Sequence, residues 1–160
     1  GKDQIDLIQR TGFHSDILRQ RPPASHSKRW PMGLPTGFLI VFLGGGLGAA
    51  LRHGINILSA RLLGAAFPYA TLFENVSGSL VMGLLAGYFA FRSGDVPQQW
   101  RLFLTTGILG GYTTFSTFSL DTALLYERGE LGLAALYIVG SVALSIGGLF
   151  AGLALVRNFS

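Results

Sequence analysis

The chain has 160 residues, of which 49% are hydrophobic and 12% are charged, and it contains 23 glycines and no cysteine. Soluble domains carry about 25% charged residues, so this chain has too few charges to cover a water-exposed surface. The absence of cysteine excludes disulfides and thiolate metal sites.

The net charge of +4 arises mainly from an N-terminal tail. Residues 1–31 hold six of the 12 Lys and Arg residues and three of the eight acidic residues, whereas the rest of the chain holds six Arg and five acidic residues. The body is therefore nearly neutral and very apolar. A nucleic-acid-binding domain would instead carry its basic residues on a folded surface, so we expect no nucleic-acid partner.

The polar, basic N-terminal extension covers residues 1–33. It contains Pro22 and Pro23 and lacks sustained periodicity, so we predict that it is mostly disordered, with at most a short helix over residues 5–10. The first methionine, Met32, lies immediately before the apolar body, and we expect it to be the functional start. Residues 34–160 are predicted to form one membrane domain.

Four apolar stretches follow the tail, each long enough to approach the roughly 20 residues that a transmembrane helix needs. Each carries at most one charged residue, and the stretches are residues 34–51, 67–91, 102–120 and 131–156. The predicted connections, residues 52–66, 92–101 and 121–130, are too short to fold into a soluble domain. We therefore predict an all-α integral membrane protein with four transmembrane helices.

Each predicted span contains two glycines four residues apart, an arrangement that lets helices approach to backbone contact in lipid. The pairs are Gly44 and Gly48, Gly83 and Gly87, Gly107 and Gly111, and Gly148 and Gly152. Because all four spans carry such a pair, we predict a tightly packed bundle.

The arginines after Met32 divide equally between the two sides of a four-span topology. One side carries Arg92, Arg101 and Arg157, and the other carries Arg52, Arg61 and Arg128. Orientation follows the bias of Lys and Arg between the two sides, and here that bias is absent. Insertion in both orientations, and hence an antiparallel homodimer, becomes possible.

The predicted third span contains the most unusual segment, GILGGYTTFSTFS at residues 107–119. Paired glycines followed by β-branched threonines make a poor helix centre, so we predict a break there. Freed carbonyls at such breaks commonly hold a small cation, and those of Gly110 and Thr113 are our candidates. The alternative is an intact helix whose Ser and Thr side chains bond back to the preceding turn.

Several side chains at membrane depth suit the passage of a small anion. Phe115 and Phe118 lie three apart on one helix face, and the positive edges of their rings attract anions weakly; their alternative role is simple core packing. The amide of Asn75 and the hydroxyls of Tyr137, Ser141 and Ser145, spaced four apart, are uncharged donors.

Two charged residues lie within or beside the spans. Arg52 ends the first predicted span, where it would attract anions into a vestibule or anchor the helix at the interface. Glu74 would be a shallow, solvated carboxylate if Pro68 occupies the first helical position, or alternatively a proton carrier. The sequence contains no nucleophile with a base and no paired carboxylates, so we expect no enzyme.

Three motifs together resemble the Fluc (CrcB) family of fluoride channels. They are GGGLGAALR at residues 44–52, FPYATLFENVSGS at residues 67–79 and TGILGGYTTFSTFS at residues 106–119. The resemblance implies a dual-topology antiparallel homodimer of four-helix subunits, with the third helix broken at its centre. It also implies a passive, fluoride-selective channel of the bacterial inner membrane that exports cytoplasmic fluoride and lowers its toxicity.

The same resemblance implies roles for individual residues. A structural sodium ion at the dimer centre would be held by the backbone carbonyls of Gly110 and Thr113. The fluoride path would be lined by Asn75, Thr114, Phe115, Ser116, Phe118, Tyr137 and Ser141. The tail and Glu74 depart from the family pattern, since many relatives have a small or apolar residue at the latter position.

Two other functions are kept as alternatives. A small proton-coupled exporter would use Glu74 to alternate between proton and substrate. A non-transporting membrane subunit would use its polar residues for assembly alone.

Overall fold

The computed structural model describes residues 34–91 and 96–159. The chain divides into two units, Gly1–Gly33 and Leu34–Ser160, and the described residues all belong to the second. The expectations for the tail, including the start at Met32, therefore lie outside the described residues.

Within the described ranges every regular element is a helix, as the sequence predicts. The elements are α1 (Leu34–Leu63), α2 (Tyr69–Phe91), α3 (Gln98–Arg101), the π-helix π1 (Leu102–Leu109), α4 (Gly110–Tyr112), α5 (Phe115–Glu127) and α6 (Leu131–Phe159). Three of these helices are long and apolar enough to cross a membrane: Pro35–Leu63 within α1, Tyr69–Ala90 within α2, and α6. The predicted third span, residues 102–120, is divided among π1, α4 and the first half of α5.

The first and third predicted connections, residues 52–66 and 121–130, are shorter than predicted. The helices before them continue past Arg52 and Asp121, the charged residues that end the apolar stretches. Helix α1 runs through Arg52 to Leu63, so the expectation that Arg52 ends the first span is wrong. The apolar sequence resumes at Ile55, and nothing in the backbone requires a turn before Gly64, whose φ of +76° ends the helix.

The end of α5 shows the same correction. Residues 121–127 are helical rather than part of a connection. The helix stops where the N–H of Gly129 (φ +77°) donates to the Tyr126 carbonyl at 2.9 Å and the N–H of Glu130 donates to the Leu125 carbonyl at 3.0 Å. These paired bonds form a Schellman motif, and α6 begins one residue later, at the predicted position.

Glycines bring the helix backbones into contact in two groups. In the first, α1 packs against π1 and α4: a Cβ built on Gly44 would lie 2.9 Å from the Gly107 Cα, and one on Gly48 would overlap the Ile108 carbonyl. In the second, α2 packs against α6, and a Cβ on Gly83 would overlap the Leu149 carbonyl. The predicted role of the glycine pairs in tight packing is confirmed.

The outer faces of the long helices are apolar and exposed. Phe38 and Phe42 of α1 and Phe150 of α6 are all more than 60% exposed, and they are joined by many leucines. Among the described residues, few hydrophobic side chains are fully buried, and the buried cluster consists of Leu125, Ala134 and Tyr137. Such a surface suits a hydrocarbon environment, in which backbone polar groups must be satisfied internally and apolar side chains face lipid.

Candidate functional site

Two extended residues interrupt the helical path between α4 and α5. Thr113 has φ −85° and ψ 155°, and Thr114 has φ −154° and ψ 124°. The sequence predicts a break in the segment of paired glycines followed by threonines, and the extended residues are the two threonines. Those glycines remain helical in α4, where Gly111 packs directly against the Gly45 carbonyl of α1.

The side chain of Asn75 holds the extended segment in place from α2. Its Oδ1 accepts from the Thr114 N–H at 2.9 Å, and its Nδ2 donates to the Thr114 carbonyl at 3.1 Å. Asn75 therefore satisfies both backbone groups of one extended residue, which non-helical backbone at membrane depth requires. One Nδ2 hydrogen is left over, since the amide group has two.

Helix α5 begins with a side-chain cap. The Thr114 Oγ1 accepts from the Thr117 N–H at 3.2 Å and lies 3.2 Å from the Ser116 hydroxyl. Threonine is a good N-cap residue because its oxygen satisfies a donor that has no partner within the helix. The cap fixes where α5 starts and therefore which side chains of its first turn face α6.

These two sets of bonds change the environment of the Gly110 and Thr113 carbonyls. In a continuous helix the Thr114 N–H would donate to Gly110 and the Thr117 N–H would donate to Thr113. Here the first donates to Asn75 and the second to the Thr114 hydroxyl. Both carbonyls lose their helical donor, and Gly110 is exposed in the single chain, so the pair fits the oxygen-ligand chemistry of a small hard cation.

No group of three or more His, Cys or acidic residues suited to a metal occurs in the described part of the chain. A cation at this position would therefore depend on backbone oxygens.

A groove of about 390 Å³ lies beside the break, between α2, α5 and α6. Its lining includes five of the residues predicted from the sequence: Asn75, Thr114, Phe115, Phe118 and Ser141. Ser145 also lines it, as the hydroxyl stripe of α6 predicted. The buried hydroxyls of Ser141 and Ser145 have no hydrogen-bond partner among the described residues, so the groove contains two donors available to a ligand.

The aromatic rings of α5 and α6 form a continuous row. The Phe115 and Phe118 ring centroids are 5.5 Å apart, and the Phe118 and Tyr137 centroids are 5.2 Å apart. Phe115 is 78% exposed in the single chain, whereas Phe118 packs against the buried cluster around Leu125. Phe118 therefore has a core role as well as a place in the groove, and Phe115 has only the latter.

Tyr137 and Ser116 lie next to the groove residues rather than in its lining. Tyr137 is buried beneath Phe118, and its hydroxyl donates to Asp121 Oδ2 at 3.2 Å. The same oxygen accepts from the Thr71 hydroxyl at 2.7 Å. Sequence reasoning missed Thr71 and Asp121. The sequence places Asp121 in the predicted connection 121–130, whereas in the structure it is helical and accepts from Tyr137.

The expectation that Glu74 is a solvated carboxylate is wrong for the single chain. Pro68 precedes α2, whose first residue is Tyr69, and Glu74 is fully buried. Its Oε1 accepts from the Asn56 Nδ2 at 2.9 Å, and its Oε2 has no partner within the described ranges. Because α1 continues beyond Arg52, Asn56 is helical and lies opposite Glu74, and sequence reasoning missed this contact as well. Arg52 itself is half-buried within α1 and does not line the groove.

Comparison with known proteins identifies relatives over nearly the whole membrane unit. Residues 39–153 match the family described as "CrcB-like protein, Camphor Resistance (CrcB)". The chain is 74% identical over 120 residues to the "Fluoride-specific ion channel FluC" of Rhodopseudomonas palustris (strain BisB5), an alignment that covers 75% of this chain and 96% of that protein.

Two further relatives have closely similar names. The "Fluoride-specific ion channel FluC 2" of Nitrobacter hamburgensis is 67% identical over 123 residues, which cover 77% of this chain and 98% of that protein. The "Fluoride-specific ion channel FluC" of Methylobacterium nodulans is 62% identical over 121 residues, which cover 76% of this chain and 96% of that protein. With a family match over residues 39–153 and this degree of identity, the chain belongs to the CrcB-like family.

Proposed function

We propose that this protein is a passive, fluoride-selective channel that lets fluoride leave the cytoplasm through the bacterial inner membrane. The observation that carries the proposal is the 74% identity, over 96% of its length, to a protein named as a fluoride-specific ion channel. The groove beside the Thr113–Thr114 interruption supports it, because it combines uncharged donors with aromatic rings. A permeant ion must bind well enough to enter and weakly enough to leave, and such partners meet both conditions.

Fluoride would move along the row of rings and hydroxyls in the groove. The free hydroxyls of Ser141 and Ser145 and the remaining Nδ2 hydrogen of Asn75 would replace water molecules of its hydration shell. The ring edges of Phe115 and Phe118 would add weak attraction without a fixed cation. Thr114, Ser116 and Tyr137 would act mainly by holding these groups in position.

A sodium ion would be held by the carbonyls of Gly110 and Thr113. Its positive charge would neutralise oxygens that have lost their helical donors and would stabilise the interruption. A second copy of the chain would supply the same two carbonyls, which is consistent with the exposure of Gly110. In this proposal the ion is structural and does not cross the membrane.

The functional unit would be an antiparallel homodimer in which the 98–127 segment makes one broken crossing. The even division of arginines supports insertion in both orientations. Placing cysteine at the exposed Glu127 of this cysteine-free chain and labelling from each side of the membrane tests the arrangement. Labelling from both sides is expected, and labelling from a single side would exclude dual topology.

Replacing Phe115 with isoleucine should slow fluoride flux by up to about tenfold, because interactions of an aromatic ring contribute about 0.5–1.5 kcal/mol and 1.4 kcal/mol corresponds to a factor of ten. Phe42→Ile is the matched control, since Phe42 is 76% exposed and lies on α1, and its flux should be unchanged. The measurement is fluoride efflux from liposomes, recorded with a fluoride electrode and without a pH gradient. Efflux that needs a pH gradient would indicate a proton-coupled exporter, and no efflux would indicate a non-transporting subunit.

Replacing Gly110 with leucine should abolish dimer recovery although the single chain has room for a Cβ at this position. The nearest atom to a Cβ at Gly110 is the Thr105 carbonyl oxygen, at an ordinary 3.8 Å. A loss of the dimer is therefore expected to come from the sodium site or the second copy. Gly46→Leu serves as the control, since a Cβ there has no neighbour within 4 Å. Size-exclusion chromatography in detergent measures the dimer, and a normal Gly110→Leu dimer would argue against a sodium site between copies.

A further inference from the structure

Tyr112 is the last residue of α4 and immediately precedes the two extended residues Thr113 and Thr114. It is half-buried, and its hydroxyl lies 2.9 Å from the Ser77 Oγ of α2. Neither Tyr112 nor Ser77 lines the groove beside the interruption. The Tyr112 hydroxyl is therefore a bonded polar group next to the break that the proposed fluoride path does not use.

The contacts of Ser77 within α2 determine the direction of this hydrogen bond. Its Oγ donates to the Phe73 carbonyl, one turn earlier in the helix, at 2.6 Å. A serine hydroxyl has one hydrogen, and here that hydrogen is used within α2. The Tyr112 hydroxyl is therefore the donor and the Ser77 oxygen the acceptor, so loss of the tyrosine hydroxyl would leave no donor of Ser77 unsatisfied.

Helix α2 contacts three consecutive residues at the interruption. The contacts are the bond from Tyr112 to Ser77, packing of the Thr113 methyl group where a Cβ on Gly78 would overlap it, and the two bonds between Thr114 and Asn75. The carbonyls proposed for sodium belong to Gly110 and Thr113. The bond of Tyr112 connects α2 to the chain between these two carbonyls, whereas the Asn75 bonds act after both.

Helix α4 depends on such contacts because it is only three residues long and follows a π-helix. A single helical turn is unstable without packing, and the last backbone bond before the break joins the Thr113 N–H to the Leu109 carbonyl at 3.0 Å. Gly111 packs against the Gly45 carbonyl of α1, and Tyr112 is bonded to α2. The rotation of α4 is therefore fixed from two sides, by one close contact and one hydrogen bond.

We propose that Tyr112 is a positioning residue for the sodium site and that its hydrogen bond to Ser77 holds the carbonyls of Gly110 and Thr113 in the arrangement that binds the ion. Groups that are already ordered bind a ligand more tightly, because less freedom is lost on binding. Without the bond, α4 would be held on the α1 side alone and its carbonyls would be less ordered. The inference rests on the sodium site proposed above and assigns Tyr112 no contact with fluoride.

The test is the sodium dependence of thermal stability in detergent, without fluoride, as sodium chloride replaces N-methylglucamine chloride at constant ionic strength. A ligand that binds only the folded protein raises the melting temperature once its concentration exceeds its dissociation constant. For Tyr112→Phe this rise should begin at a sodium concentration roughly two- to tenfold higher than for the wild type, the factor that corresponds to one net hydrogen bond. Tyr126→Phe, the same change at a 67% exposed position of α5, should leave the onset unchanged.

The sodium titration separates a positioning role from a purely structural one. A structural role would lower the melting temperature equally at every sodium concentration and leave the onset where it is. Ser77→Ala removes the same bond from the α2 side and should shift the onset in the same direction, which also provides a second variant if Tyr112→Phe does not fold. In the double variant the two shifts should not add, because both changes remove one shared interaction.

The outcomes distinguish the inference from the proposals on which it rests. If the wild type responds to sodium but the onset is unchanged in Tyr112→Phe and Ser77→Ala, the inference alone is overturned, and fully additive shifts in the double variant would also overturn it. A wild type whose melting temperature does not depend on sodium would remove the sodium site together with the inference. Fluoride efflux from wild-type liposomes tests conduction independently of both.

Discussion

Replacing Asn75 with leucine should eliminate fluoride flux and destabilise the protein by about 2–6 kcal/mol. The substitution removes both partners of the Thr114 backbone, whose N–H and carbonyl are bonded at 2.9 Å and 3.1 Å. Each buried polar group left without a partner costs about 1–3 kcal/mol. Thermal denaturation in detergent and efflux from liposomes measure the two effects.

Two comparisons make the Asn75 prediction specific. Asn158→Leu removes an exposed amide near the end of α6 and should change stability by less than about 0.5 kcal/mol. Asn75→Asp retains an acceptor for the Thr114 N–H but loses the donor to its carbonyl, so an intermediate loss is expected. If Asn75→Leu were as stable as the wild type, the extended segment would not depend on this side chain.

Replacing Gly152 with alanine should prevent α2 and α6 from packing, at a cost of about 3 kcal/mol or more, the upper part of the range for overpacking. A Cβ on Gly152 would overlap the carbonyl oxygen of Leu80 and lie 2.8 Å from the Leu84 nitrogen. Both neighbours are backbone atoms of α2 and cannot move without displacing that helix. The folded fraction recovered from membranes and its melting temperature provide the measurement.

Gly147 of the same helix is the matched control, because a Cβ at that position has no neighbour within 4 Å. Gly147→Ala should be neutral or should stabilise by about 0.5–1 kcal/mol, the usual advantage of alanine over glycine inside a helix. Equal stability of the Gly152→Ala and Gly147→Ala variants would show that the α2–α6 contact is looser than the structure indicates.

The helical membrane class and the helix contacts at glycines can both be predicted from local sequence. The structure agrees with both predictions. An apolar stretch of about 20 residues leaves a helix as the main option in lipid, which accounts for α1, α2 and α6. Glycines four apart necessarily share one helix face, so Gly83 and Gly152 could be placed at contacts before their partners were known. Neither prediction needed to know which helix packs against which.

The position of the interruption could be predicted only approximately. A glycine costs about 1 kcal/mol in a helix, which is less than packing can supply, and Gly111 remains helical against the Gly45 carbonyl. The helix instead opens at Thr113 and Thr114, where the Asn75 amide replaces the lost backbone partners. That amide comes from a helix 39 residues away in the chain, and no local pattern contains such information.

The sequence by itself determined that this is a helical membrane protein with glycine contacts between helices and polar groups at membrane depth. It also contains the motifs of its family. These features depend only on composition and on spacing along one helix. The tertiary structure alone decided that Glu74 is buried against Asn56 and that Asp121 receives bonds from Thr71 and Tyr137. Such burial depends on how far neighbouring helices continue and which faces they turn toward one another. Those features are set by contacts between residues distant in the chain, so charge and spacing along a single helix do not contain them.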